Sequence, residues 1–234
     1  MSTARDKSFM DSSFPKKINW HYEILPRQTK KALDFLSREK WPGKSKWYLA
    51  GGTALALIAG NRKSIDLDFF TQAVNFDNEE LLKNFSSNPD WHSTFNRKNT
   101  IYGELFNAKV SFIAYPFFVP KQEFFRHGSI KVLNPLDIAV MKIIAISQRG
   151  RKRDFFDLYW CAQNLEPLEK TIRRLKVQYP SMAHNYHHIL KSLVFFEDAE
   201  SDPEPEIYFK TDWKEVKKFF RREIPEITKK LIKI

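Results

Sequence analysis

An apolar run, Tyr48-Leu49-Ala50, breaks at Gly51-Gly52-Thr53 and resumes as Ala54-Leu55-Ala56-Leu57; Ser64-Ile65-Asp66-Leu67-Asp68-Phe69-Phe70 follows shortly after. The first piece predicts a strand over 47–50, a glycine turn, and a helix over 53–59 that ends near Gly60-Asn61. The second predicts a strand over 64–70. A glycine pair at a strand end lets the backbone approach a ligand closely. A helix starting there offers unpaired N–H groups and a partial positive charge to phosphate oxygens, and Thr53 adds a hydroxyl donor. Alternate side chains of a strand share a face, so Asp66 and Asp68 are expected on one side, with Ile65, Leu67 and Phe69 packed on the other. Adjacent carboxylates repel unless a cation lies between them. Mg²⁺ (or Mn²⁺) suits them, because such ions take oxygen ligands and share them with phosphate. A pair of such ions can clamp the attacking and leaving oxygens of an in-line displacement. Arg62 and Lys63, just before the strand, are placed either to contact phosphate or to stay hydrated.

The remaining pattern divides the 234 residues in two. Residues 1–13 read as a loose tail, and 14–133 as an α/β core with a mixed sheet. Helices are predicted over 26–38 and 78–85, two or three strands over 93–115, and a short strand over 130–133. Asn134-Pro135-Leu136-Asp137 is a helix start: Asn as the cap, Pro at the first helical position, Asp in the first turn. From there to residue 234 a helical domain is expected, with helices over 135–148, 153–164, 167–178, 184–196 and 212–222, the last extending past Pro225 if the chain continues it.

Lys and Arg outnumber Asp and Glu by 39 to 28, a formal net charge of +11, which favours polyanionic partners such as nucleotides and nucleic acids. One cysteine, Cys161, excludes an internal disulfide and a cysteine zinc site and suits a reducing compartment, the cytoplasm. The first residues have no signal-peptide character and no apolar run is long enough to span a bilayer, so no membrane association is expected.

Lys142 is the only charge in Ile138-Ala139-Val140-Met141-Lys142-Ile143-Ile144-Ala145-Ile146. A helix apolar all round is buried, and a buried ammonium needs a partner; a triphosphate or the aspartate cluster would serve, as would an escape to water along the stem. Arg149-Gly150-Arg151-Lys152-Arg153 makes a cationic turn able to grip an acceptor backbone or nucleotide phosphates. Asp154 and Asp157, three apart, share one helix face, where acids near a helix start are also simply stabilising.

Taken together these pieces resemble the nucleotidyltransferases of the DNA polymerase β superfamily. Gly-Gly-Thr-Ala-Leu-Ala-Leu and Asp-Leu-Asp-Phe-Phe, then Lys142-x-x-Ala145-x-x-x-Arg149 and Arg153-Asp154-x-x-Asp157-Leu158, are most similar to the AbiEii/AbiGii toxin family within it. The superfamily usually has Gly-Ser where this family accepts Gly-Gly-Thr. The resemblance runs from Trp47 to Trp213. It implies a polymerase β-type core followed by helices, and a metal-dependent transfer from an NTP bound at Gly51, Gly52, Thr53, Lys142 and Arg62, with metal on Asp66 and Asp68. It also implies a toxin with a cognate antitoxin protein and an RNA target, tRNA being one candidate. Lys142 matches the lysine held to bind nucleotide. Asp154 matches an aspartate required for activity, for orienting or deprotonating the acceptor hydroxyl, while Asp157 is expected to brace Arg153 or Arg149. Arg149, Arg151, Lys152 and Arg153 are candidates to hold the acceptor, and could equally hold the nucleotide phosphates or face the antitoxin. Many relatives carry a third carboxylate on a neighbouring strand. Here Ser111 stands at that place, leaving Asp154 or Glu104 to supply the function, or a weak catalyst. Nucleotidylation of a protein, and a nucleotide- or RNA-binding module without turnover, are the alternatives.

Three further features are read as structural. His184-x-x-His187-His188 has helical spacing but no nearby acid or cysteine. The acidic run 197–206 reads as a solvated, proline-stiffened loop that could also dock on basic surface, and 213–222 as an amphipathic closing helix with a basic outer face.

Overall fold

In the computed structural model, which describes residues 18–181 and 185–231, a seven-stranded mixed sheet runs in the order β3-β4-β5-β2-β1-β7-β6. Strands β1 (Tyr48–Ala50) and β2 (Leu67–Thr71) lie centrally and antiparallel, with Ala50 opposite Asp68. Strands β3 (Trp91–Arg97), β4 (Thr100–Leu105) and β5 (Ala108–Ala114) form a meander that brings β5 parallel to β2, with Ser111 opposite Asp68. The β4–β5 connection needs only Phe106 and Asn107, both left-handed (φ 54° and 64°), which matches the twist of an antiparallel pair. The hairpin of β6 (Phe125–His127) and β7 (Ile130–Val132) joins parallel to β1.

The strand expected over 64–70 starts only at Leu67. The Ile65 carbonyl accepts from Thr29 Oγ1 at 2.8 Å and the Asp66 carbonyl from Thr53 Oγ1, so side chains take the groups a neighbouring strand would need. Residues just before them pair elsewhere: Tyr208 N donates to Asn61 O at 2.9 Å and Lys63 N to Glu206 O at 2.8 Å. Ile65, expected in the packing, is therefore 48% exposed.

Helices α1 (Arg27–Arg38), α2 (Trp41–Lys44), α3 (Gly51–Ala59) and α4 (Asn78–Lys83) decorate the sheet. Asn134 caps α5 (Pro135–Arg149) as expected, its Oδ1 accepting from Leu136 N at 3.0 Å. Helices α6 (Lys152–Asn164), α7 (Leu168–Gln178) and α8 (Tyr186–Ser192) surround α5 together with α3, which is why α5 is apolar on every side. The acidic run contains a turn of helix, α9 (Glu197–Glu200), and α10 (Trp213–Leu231) continues past Pro225. Pro225 lies on the exposed side, where water can reach the carbonyl that its missing N–H leaves unpaired. The buried apolar residues form one cluster through sheet and helices, with Phe112 stacked on Phe69 at 5.2 Å between ring centres. The expected tail at 1–13 and His184 lie outside the described residues. His188 Nε2 meets the Ser147 carbonyl at 3.2 Å, and no group of three or more potential His, Cys, Asp or Glu metal ligands occurs among the described residues. No described helix is long and apolar enough to cross a membrane.

Candidate active site

Each glycine of the turn is required for its own reason. Gly51 adopts φ +70°, a left-handed value that favours glycine, and a Cβ there would stand 3.2 Å from Asp68 Oδ2. A Cβ on Gly52 would stand 2.2 Å from Arg62 Nη2, so only glycine lets that guanidinium lie against the turn. No described side chain caps α3, whose first N–H groups border a cavity. The Thr53 hydroxyl, expected as a phosphate donor, is buried against Ser64 Oγ at 2.8 Å and the Asp66 carbonyl. It fixes the approach to β2, and with it the position of Asp66.

Ser111, on β5, donates to Asp68 Oδ1 at 2.7 Å. The serine thus holds the existing carboxylate at the place where a third one was expected. Burial pushes the Asp68 carboxyl above its usual range; the nearby Asp66 adds to that and the Ser111 hydrogen bond opposes it.

Behind the turn lies a buried ion cluster. Lys142 Nζ pairs with Asp154 Oδ1 and with Asp157 Oδ2, both at 2.6 Å. Arg62 grips Asp157 with two bonds of 2.8 Å, and Asn61 Nδ2 donates to the same carboxylate at 3.0 Å. Arg149 Nε reaches Asp154 Oδ2 at 3.1 Å. Asp157 therefore braces Arg62 and Lys142, not Arg153 or Arg149 as the sequence suggested. Burial alone would raise both carboxyls, but the cations outweigh it: Lys142 and Arg149 hold Asp154 below the usual range, and Arg62 and Lys142 hold Asp157 far below it. Asp154 is fully buried with both oxygens engaged, so it does not stand as a base open to an incoming hydroxyl.

A cavity of about 350 Å³ gathers these groups: Gly51, Gly52, Thr53, Arg62, Asp66, Asp68, Lys142, Arg149, Arg153 and Asp154 all border it. Phe70, Tyr115, Ile138 and Met141 add an apolar wall that local sequence did not signal, because β2, β5 and α5 bring it together. Two residues of the cationic turn are engaged elsewhere. Arg151 Nη1 pairs with Asp202 at 2.6 Å, and the buried Lys152 Nζ donates to the Asp202 carbonyl at 2.8 Å and reaches Glu204 at 3.5 Å. The acidic run thus touches basic surface through Asp202 and Glu204, while Glu197, Asp198, Glu200, Glu204 and Glu206 stay exposed to solvent.

A family model described as nucleotidyl transferase AbiEii toxin of type IV toxin–antitoxin systems matches residues 34–96 and 101–231. The chain belongs to the AbiEii nucleotidyltransferase family. It is 34% identical over 186 residues to the uncharacterized protein aq_aa25 of Aquifex aeolicus (strain VF5), covering 77% of this chain and 87% of that one. Two solved structures share its fold. One is a provisionally assigned nucleotidyltransferase from H. pylori (TM-score 0.51, 20% identity, 89% of this chain and 98% of that chain). The other is MenT4, a nucleotidyltransferase toxin from Mycobacterium tuberculosis H37Rv (TM-score 0.52, 16% identity, 87% and 86%). The AbiEii chain described here is a toxin-type nucleotidyltransferase of the type IV class.

Proposed function

We propose that this AbiEii protein moves a nucleotidyl group from an NTP to a hydroxyl of an RNA, in a metal-dependent reaction, with the triphosphate bound beneath the glycine turn. The observation that carries this reading is the convergence of the turn, two carboxylates and the cations of α5 and α6 on one cavity. Backbone N–H groups at the start of α3 suit phosphate oxygens. An ammonium has three donors; carboxylates engage two on Lys142, and the third remains for phosphate. Arg62, Lys142, Arg149 and Arg153 balance Asp66, Asp68, Asp154 and Asp157 around the site, so a divalent ion on Asp66 and Asp68 would leave it positive toward an anion. The apolar wall suits a nucleobase.

Asp66 and Asp68 offer oxygen donors only, as a hard divalent ion requires, and two carboxylates leave room for water and phosphate oxygens in the manner of Mg²⁺ sites. Mg²⁺ or Mn²⁺ bound there would supply neutralising charge to the phosphoryl group in transfer. In the step itself the acceptor oxygen bonds to the α-phosphorus as the bond from that phosphorus to the leaving pyrophosphate breaks, and the hydroxyl proton passes to solvent. Asp154 acts as a positioning residue, aiming Lys142 and Arg149. A cognate antitoxin protein is the expected partner.

Incubation with each labelled NTP, Mg²⁺ and total RNA tests the reading. Label on RNA supports it, and Asp66→Ala then abolishes the label while the fold survives. Label on protein alone would replace RNA with a protein acceptor. Saturable NTP binding without transfer would leave a binding module, the reading that Ser111 in place of a carboxylate favours.

A further inference from the structure

A single lateral row crosses four strands. Asp68 on β2 is opposite Ser111 on β5, Ser111 is opposite Tyr102 on β4, and Tyr102 is opposite Phe95 on β3. Lateral neighbours in a sheet point to one face, so the row begins at a carboxylate of the site and ends in two aromatic rings. Those rings stack at 5.2 Å and 27°, yet Phe95 is 41% and Tyr102 43% exposed. At about 4.8 Å per strand, Tyr102 lies about 10 Å from Asp68 and Phe95 about 14 Å.

A second cavity, of about 420 Å³, runs along this row, bordered by Thr94, Tyr102, Lys109 and Ser111, and it shares Asp66, Asp68, Ile113 and Arg149 with the first. The two cavities therefore meet at the carboxylates. An in-line displacement brings the nucleophile and the leaving group to opposite sides of the phosphorus. With the triphosphate in the first cavity, the second reaches the same carboxylates from the β3–β5 side.

We propose that the exposed face of β3, β4 and β5 binds the single-stranded end of the RNA acceptor, with bases stacked on Tyr102 and Phe95. This rests on the transferase reading above. Arg97 shares the face, since it is opposite Thr100, two residues from Tyr102. With Lys109 and Arg149 it gives a cationic border that complements a phosphate backbone. Glu104, opposite Lys109, partly offsets that charge. Base-paired nucleotides cannot present their faces to side chains, so the occupant is unpaired.

The test measures binding of the full-length protein to a fluorescent oligo(A), single-stranded and in duplex with oligo(U), beside transfer assays with total RNA. The single strand is expected to bind more tightly than the duplex. Tyr102→Leu and Phe95→Leu should each weaken it by about tenfold while leaving NTP affinity unchanged, and Tyr102→Phe should restore it. A merely structural pair would lower thermal stability without separating RNA affinity from NTP affinity. If the wild type labels RNA but these variants bind and transfer as it does, or if the duplex binds better, the platform is wrong and the transferase reading stands. If the wild type labels no RNA, the RNA acceptor falls and the platform falls with it.

Discussion

The guanidinium of Arg62 lies against the backbone of Gly52, so close that a Cβ on that glycine would stand 2.2 Å from Nη2. Arg62 is held there by its two bonds to Asp157, and Asp157 is held by Lys142. Turn and ion cluster are thus one mechanical unit. Gly52→Ala should displace the guanidinium from a packed site, at a cost of about 1–3 kcal/mol, and weaken NTP binding in parallel. Urea unfolding and NTP titration of the same variant check this; unchanged NTP affinity would separate the turn from the cluster.

Ser111 and Asp68 give a second prediction. A hydrogen bond to a charged group contributes about 1.5–3 kcal/mol, and Ser111 makes one to a carboxylate that burial already pushes toward protonation. Ser111→Ala should leave the fold intact and lower the transfer rate by about tenfold or more, with NTP affinity nearly unchanged because the glycine turn is untouched. Full activity in Ser111→Ala would show that Asp68 needs no support from β5.

Much of this site was legible in the sequence. Gly51-Gly52, Asp66, Asp68 and Lys142 are marked by local contrast: a break in an apolar run, paired acids, one charge in an apolar helix. The start of α5 was legible too, because the Asn134 cap and Pro135 act within one turn. What stayed hidden depends on contacts distant in sequence. Nothing around Arg62 announces Asp157, since α6 must pack beside the turn before they meet. The late start of β2 was equally hidden, because Thr29 and Thr53, on separate helices, take the carbonyls of Ile65 and Asp66. Phe95 and Tyr102 read as ordinary strand residues until the register aligns them with Asp68.

The docking of the acidic run predicts a third outcome. Asp202 accepts from Arg151, from the backbone N of Lys152 and, through its carbonyl, from the buried Lys152 ammonium. Asp202→Ala removes the carboxylate bonds and should loosen residues 201–206. Faster proteolysis within that segment, with the far-ultraviolet circular dichroism unchanged, is the expected result. Equal proteolysis rates would mean that the backbone pairing of 206–208 with 61–63 holds the segment alone.

Acid should unfold the protein through its ion cluster. The carboxyls of Asp154 and Asp157 are held below their ordinary range in the fold, after the cations overcome the opposing effect of burial. A carboxyl with a depressed folded pKa takes up protons more readily when unfolded. Its contribution is therefore fully present above the unfolded value of about 4 and is lost as pH falls through the lower folded values. Asp157→Asn removes one partner from a buried set of charges, leaving Arg62 and Lys142 undercompensated, and should cost about 3–5 kcal/mol at neutral pH. The same variant lacks the titrating group, so its stability should fall less steeply than that of the wild type below pH 4. Urea unfolding of both proteins between neutral pH and about pH 3 measures the two slopes. Parallel slopes would mean that Asp157 does not carry the acid sensitivity, and that the cluster with Arg62 and Lys142 is less tightly coupled to folding than its geometry implies.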